Sequence, residues 1–190
     1  MSLQMNKSSI LLILLGFLAA GCNYQFGRGD LTQRYSTISV PYVEGDQRGD
    51  LTSEVIKKVG TSGSFRYVSC GGDLTLKIKL LDFREENINF RYDRKRTGRL
   101  KHQIIPTQTR SYAIAEIQLV EGATGKTILG PAEITASAEF DHTYYSTWHK
   151  VNIFSLGQLN DIDEARDAVM QPLNRHLAEK IVDYIVNAPL

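Results

Sequence analysis

Only two cysteines, Cys22 and Cys70, occur in 190 residues, so no disulfide framework is available and stability must come from a packed core. Long apolar runs are missing as well. A transmembrane helix needs roughly 20 apolar residues, and the longest run here, Ile10 to Ala20, is about half that. Excess charge is absent: 22 Lys and Arg stand against 21 Asp and Glu, for a net charge of +1. No global field therefore argues for nucleic acid as a partner. There is no internal repeat and no low-complexity segment. The four histidines, His102, His142, His149 and His176, show no ligand spacing on a clear element. No local signature builds a Ser-His-Asp or Cys-His arrangement, and the carboxylates are scattered. The sequence offers no positive sign of an enzyme, a metal site or a cofactor.

The N-terminus carries the strongest signal that is present. Lys7-Ser8-Ser9 precedes the apolar run, which ends in Ala19-Ala20-Gly21-Cys22. A basic residue, a short apolar stretch and small residues make a secretory signal. Leu18 to Cys22 resembles a bacterial lipobox, in which the cysteine becomes the first mature residue and carries acyl chains; Ala19 stands where Leu is commoner. The plainer reading is a secretory peptide or short anchor helix with an incidental cysteine. Each buried methylene contributes about 0.8 kcal/mol, so several acyl chains on Cys22 would tether the folded domain to a membrane surface. Asn23 follows the cysteine. By resemblance to lipoproteins of enteric-type bacteria, the lack of an Asp there implies sorting to the outer membrane, on its periplasmic face. Met1 to Gln4 precede a second methionine, Met5, and are set aside. With Cys22 acylated, Cys70 has no disulfide partner and is expected to be a buried small hydrophobe.

The expected organisation is a signal peptide over 1–21, a lipidated linker over 22–34, and a single α/β domain over 35–190, large enough for a real core. Tyr35 to Pro41 reads as a strand stopped by proline. Asp50 is placed to cap a helix with Leu51, Val55 and Val59 on one stripe, Glu54 and Lys58 as an i,i+4 pair, and Gly60 as its C′ residue. Phe65 to Cys70 reads as a strand and Gly71-Gly72 as a turn. Asp73 to Phe83 alternates, with Leu74, Leu76, Ile78 and Leu80 on one face and Thr75, Lys77 and Lys79 on the other. Arg110 to Val120 and Thr127 to Phe140 form a long hairpin around the Gly-rich turn Glu121 to Lys126. From Asp161 to Asn187 the period becomes helical, through Ile162, Ala165, Val169, Leu173, Leu177, Ile181 and Ile185, with acids at the start and an expected kink or restart at Pro172. The fold class is a two-layer α/β sandwich: two amphipathic helices on one face of a roughly four-stranded mixed sheet.

Gly122-Ala123-Thr124-Gly125-Lys126-Thr127 resembles the end of a phosphate-binding loop, but lacks its first glycine and leads into a strand, so it reads as a hairpin turn. The Arg-Gly-Asp spellings at 28–30 and 48–50 are short enough to arise by chance. Tyr144, Tyr145 and Trp148 lie in an aromatic stretch, 140–154, that suits a core or a partner interface. One charge cluster stands out: Arg91, Arg94, Lys95, Arg96, Arg99 and Lys101 fall within eleven residues, beside Phe90 and Tyr92 and with Asp93 as the lone acid. It reads either as a solvated loop or as an anion site, since guanidinium forks match phosphate bidentately. On an outer-membrane-anchored chain that anion would be a lipid phosphate.

These segments together resemble the lipopolysaccharide (LPS) assembly lipoprotein family LptE. The resemblance rests on Cys22-Asn23-Tyr24-Gln25-Phe26-Gly27, Ile38-Ser39-Val40-Pro41-Tyr42, the helix from Asp50, and Gly72-Asp73-Leu74-Thr75-Leu76. It continues through Tyr112 and the segment 121–129 to the closing helix. It runs over nearly all of the mature chain in short segments, with Asn23 where glycine is usual and an unusually long 84–106 stretch. It implies two helices on a four-stranded sheet and no chemical step. It also implies an outer-membrane β-barrel partner of the LptD type, which the protein plugs, and LPS as cargo. The rival readings are a generic envelope lipoprotein that scaffolds another complex, and an envelope hydrolase with dispersed catalytic residues.

Overall fold

A computed structural model describes residues 30–94, 97, 100–141 and 162–188. The elements run α1 (Asp30–Arg34), β1 (Thr37–Ser39), α2 (Asp50–Ser62), β2 (Arg66–Val68), β3 (Leu74–Arg94), β4 (Leu100–Glu121), β5 (Thr127–Asp141) and α3 (Ile162–Asn187). The strands form one mixed sheet of five in the order β2-β1-β3-β4-β5. β1 pairs parallel with β2 and β3, and the β3-β4-β5 meander is antiparallel. The α/β sandwich is as expected, with one strand more than four.

The alternation seen in the sequence is what buries the sheet. Leu74, Leu76 and Ile78 of β3, Ala113, Ala115, Ile117 and Leu119 of β4, and Ala136, Ala138 and Phe140 of β5 all join one core. The α3 stripe Ala165, Val169, Leu173, Leu177, Ile181 and Ile185 lies against them, and Leu51, Val55 and Val59 of α2 complete the layer. Fully burying one such aliphatic side chain contributes about 1.5–3 kcal/mol. That sum holds α3 as one helix through Pro172, without the restart that was one of the two expectations there. Small alanines on β4 and β5 let the helix sit close.

Several local expectations change. Residues 30–34 belong to the fold rather than to the linker, because α1 buries Leu31 completely. Asp50 does not cap α2. The N-cap is Gly49, and the acceptor is Asp46, buried in the preceding loop. Its Oδ2 accepts the N–H and hydroxyl of Thr52, each at 2.8 Å, and its Oδ1 accepts the Gly49 N–H at 3.0 Å. A carboxylate at the first turn satisfies donors the helix leaves free and suits its dipole. At the other end α2 runs past Gly60 to Ser62 and stops at Gly63, whose φ of 66° is the left-handed conformation glycine takes most readily. Glu54 pairs with Lys57 at 3.5 Å, whereas Lys58 reaches across to Glu179 of α3. Cys70 is exposed, not buried, since it falls after β2 rather than in it.

The base of the sheet is tied by side chains. The Asp73 carboxylate accepts the N–H groups of Ser36 and Thr37 and the Ser36 hydroxyl, at 2.9–3.1 Å, and the Asp73 N–H donates to the Thr37 hydroxyl. The Tyr35 hydroxyl donates to Glu121 at 2.8 Å. Hydrogen bonding with Thr37 and then Ser36 holds Asp73 below the usual carboxylate range, and the Thr124 hydroxyl followed by that of Tyr35 does the same for Glu121. Between these posts Gly122 donates its N–H to the Asp73 carbonyl at 2.8 Å. A Cβ on Gly122 would run into the Gly72 carbonyl oxygen.

Two outcomes follow for the base. Gly122→Ala should destabilise the domain by about 2 kcal/mol, because a backbone oxygen has to move to admit the methyl; urea unfolding checks it. Asp73 and Glu121 bind protons more weakly folded than unfolded. The stability they supply is complete above the unfolded carboxylate values near pH 4, and is lost as the pH falls through the depressed folded values. Thermal melts of Asp73→Asn should show a shallower loss of midpoint than wild type on acidification below about pH 5; parallel curves would contradict it.

Candidate interaction surface

The register of β3 explains why its alternation fades. Leu80 pairs with Ala115 and Asp82 with Ile114, so Leu81 is an extra residue on β3. A bulge of this kind shifts the phase of the strand. Before it, even-numbered residues face the helices; after it Phe83, Glu85 and Asn87 do, opposite Ala113, Ser111 and Thr109. Hydrogen bonds mark this new phase. Arg166 of α3 grips Glu85 at 2.8 and 3.1 Å, and the Thr109 hydroxyl meets the Asn87 side-chain oxygen at 2.8 Å.

Beyond this level β3 and β4 leave the sheet. The β4-β5 ladder ends at Gln108 opposite Asp141, but β3 and β4 stay paired to Arg94 opposite Leu100. The result is a two-stranded ribbon. Phe90 lies opposite Pro106 and Tyr92 opposite Ile104, so these four share a face, since alternate residues of a strand do. Phe90, Tyr92 and Ile104 are 51%, 65% and 61% exposed. Arg91, opposite Ile105, is on the other face and exposed.

The sheet face away from the helices is polar. Arg110 bonds Glu139 through Nε at 2.9 Å, Arg84 stacks 5.0 Å from the Tyr112 ring centroid, and the Tyr112 hydroxyl donates to Glu86 at 3.3 Å. Tyr112 and then Glu139 raise the Arg110 pKa further above its ordinary value. On the helix side, a groove of about 160 Å³ between α2 and α3 is lined by Glu54, Lys57, Lys58, Thr61, Arg175, Ala178 and Glu179.

No family model matches the chain, and no curated protein matches it. Solved structures do. They include a minor lipoprotein from Acinetobacter baumannii, 13% identical over 80% of this chain and 91% of that one, with a TM-score of 0.47. Rare lipoprotein B from Shewanella oneidensis is 10% identical over 79% and 93%, with a TM-score of 0.46. A hypothetical protein from Chlamydia trachomatis is 8% identical over 80% and 95%, with a TM-score of 0.48.

The residues singled out in the sequence fare differently. Cys22, Tyr144, Tyr145, Trp148, Lys95, Arg96 and Arg99 lie outside the described residues, as do His142 and His149. Arg91 and Arg94 are on β3 and Lys101 on β4. These three cations are thus on paired strands rather than in a loop. The glycine-rich segment 122–125 is a β4-β5 hairpin turn, closed by Gly125 N–H to the Glu121 carbonyl at 2.9 Å. His176 places Nδ1 3.1 Å from the Ser137 carbonyl. Among the described residues no cluster of three metal-ligating side chains exists, and no helix is long and apolar enough to cross a membrane. Ile104 was missed in the sequence reading, because only the strand pairing sets it opposite Tyr92.

Proposed function

We propose that this chain is a lipid-anchored envelope protein of the LPS-assembly type, held to the outer membrane through Cys22 and seated as a plug and partner of a β-barrel. The observation that carries the reading is the run of residues from the Cys22 lipobox through the Asp50 helix to the closing helix that resembles LptE. The fold that resemblance implied, two helices on a four-stranded sheet, agrees with the α/β sandwich found, which has one strand more. The polar sheet face supports the same reading, because barrel interiors are polar and wet. A surface of cross-strand charge pairs suits such a wall better than it suits an apolar partner. No reacting group is invoked: the protein positions a barrel and its cargo. The aromatic stretch at Tyr144, Tyr145 and Trp148 would supply large contact area at low entropy cost. The cations from Arg91 to Lys101 would meet the phosphates of LPS.

Affinity capture from detergent-solubilised membranes should bring down one large β-barrel in equimolar amount, identified by mass spectrometry. Cys22→Ala should leave an unprocessed precursor or a periplasmic form. Capture of no barrel, together with normal LPS display in a deletion strain, would overturn the proposal. Replacing Arg94, Lys95 and Arg96 together by Gln should weaken LPS binding at low salt by about tenfold and leave the melting midpoint unchanged, since exposed substitutions move stability by at most about 0.5 kcal/mol. Unaltered affinity would return the cluster to a solvated turn.

A further inference from the structure

We infer that the β3-β4 ribbon is a second membrane contact, docking the free lipoprotein onto an anionic lipid surface through Phe90, Tyr92 and Ile104 with Arg91 beside them. The inference rests on the lipid anchoring proposed above, not on the barrel or on LPS. Three large apolar side chains in a row, each at least half exposed, need an occupant. A second copy is a poor one. Their combined exposed area is on the order of 350 Å², well short of the roughly 800 Å² per partner that a stable interface takes. A bilayer surface needs much less. Aromatic rings settle at headgroup level, and each cation near an anionic leaflet strengthens the attachment about fivefold. The ribbon strands carry Arg91, Arg94 and Lys101 against Asp93 alone, which is the charge such a leaflet attracts.

The geometry allows two-point attachment. Tyr35 and Ser36, just after α1, bond Glu121 and Asp73 at the base of the sheet. Tyr92 stands seventeen residues along β3 from Thr75, which at about 3.3 Å per residue is roughly 55 Å from that base. The ribbon and the base of the sheet, where β1 begins, therefore lie far apart along β3. Ribbon contact would add to the acyl chains a second hold on the same leaflet, and it would cover the aromatic side chains in the protein that has no barrel.

The test uses the full lipidated protein reconstituted in vesicles, with an environment-sensitive fluorophore on Thr97→Cys in a Cys70→Ser background. Lipid-borne quenchers report contact. In vesicles of phosphatidylcholine with phosphatidylglycerol, emission should shift to shorter wavelength and be quenched several-fold more than in phosphatidylcholine alone, and salt should reverse the difference. Tyr92→Ser with Ile104→Ser should abolish the quenching while circular dichroism stays unchanged. Arg91→Glu should reduce it without touching the aromatic face. A label that stays water-like in both vesicle types overturns the inference, as does quenching indifferent to these substitutions. Energy transfer between labelled copies without lipid quenching would make a second copy the occupant. Intact mass reports the acyl chains separately, so a missing anchor is not mistaken for a failed ribbon.

Discussion

A five-stranded sheet can bury one face only if something apolar lies along it, and here that element is α3. Its stripe from Ala165 to Ile185 meets the alanine-rich inner positions of β4 and β5. The same helix then manages the sheet edge. Lys180 donates to the Thr135 carbonyl at 2.8 Å, and His176 lies against that of Ser137, so backbone acceptors along β5 are covered by side chains rather than left as a template for another strand. Without the α3 seam, β5 would have neither a floor nor a guarded edge, and α2, which packs on α3, would lose its neighbour.

The opposite side of the sheet is handled by the chain itself. The segment after β1 runs beside β3: Glu44 donates its N–H to the Ile78 carbonyl, and its own carbonyl accepts from Leu80. Where that cover ends, the bulge at Leu81 begins. The order is physically sensible. A regular, uncovered strand invites pairing with another chain, and a bulge followed by charged residues such as Asp82, Arg84 and Glu86 makes that edge irregular and costly to dehydrate. The strand continues as a ribbon at the expense of regularity.

Legibility followed periodicity. Leu74, Leu76 and Ile78 alternate cleanly, and the α3 stripe repeats every three to four residues, so strand and helix were both readable. What was not readable depended on contacts that no periodic pattern announces. The Asp46 acceptor looks like an ordinary loop acid until Thr52 is brought to it. Leu81 cannot be known as a bulge until Leu80 and Asp82 are set against Ala115 and Ile114. For the same reason the basic stretch read as a loop: between Phe83 and Gln108 the apolar alternation is diluted by charge, and only pairing shows both halves to be strands. Cys70 was misjudged because β2 stops at Val68, which no local propensity announces.

The polar sheet face bears on the kind of partner this domain can accept. Some of its polar groups are already matched across strands, Arg110 with Glu139 and Tyr112 with Glu86, with Arg84 lying on the Tyr112 ring. Each such exposed pair adds little to stability, about 0–1 kcal/mol. Its effect comes when the face is covered. An isolated buried charge is costly, whereas one that keeps its hydrogen-bonded partner carries part of its solvation with it. A surface that is itself polar and hydrated can then approach without stripping those groups of their counterparts, and bridging water fills what remains. The ribbon has the reverse character, since its aromatic side chains gain from losing water. One domain thus presents two surfaces of opposite character, a polar face that keeps its water at little cost and an apolar ribbon that gains by losing it.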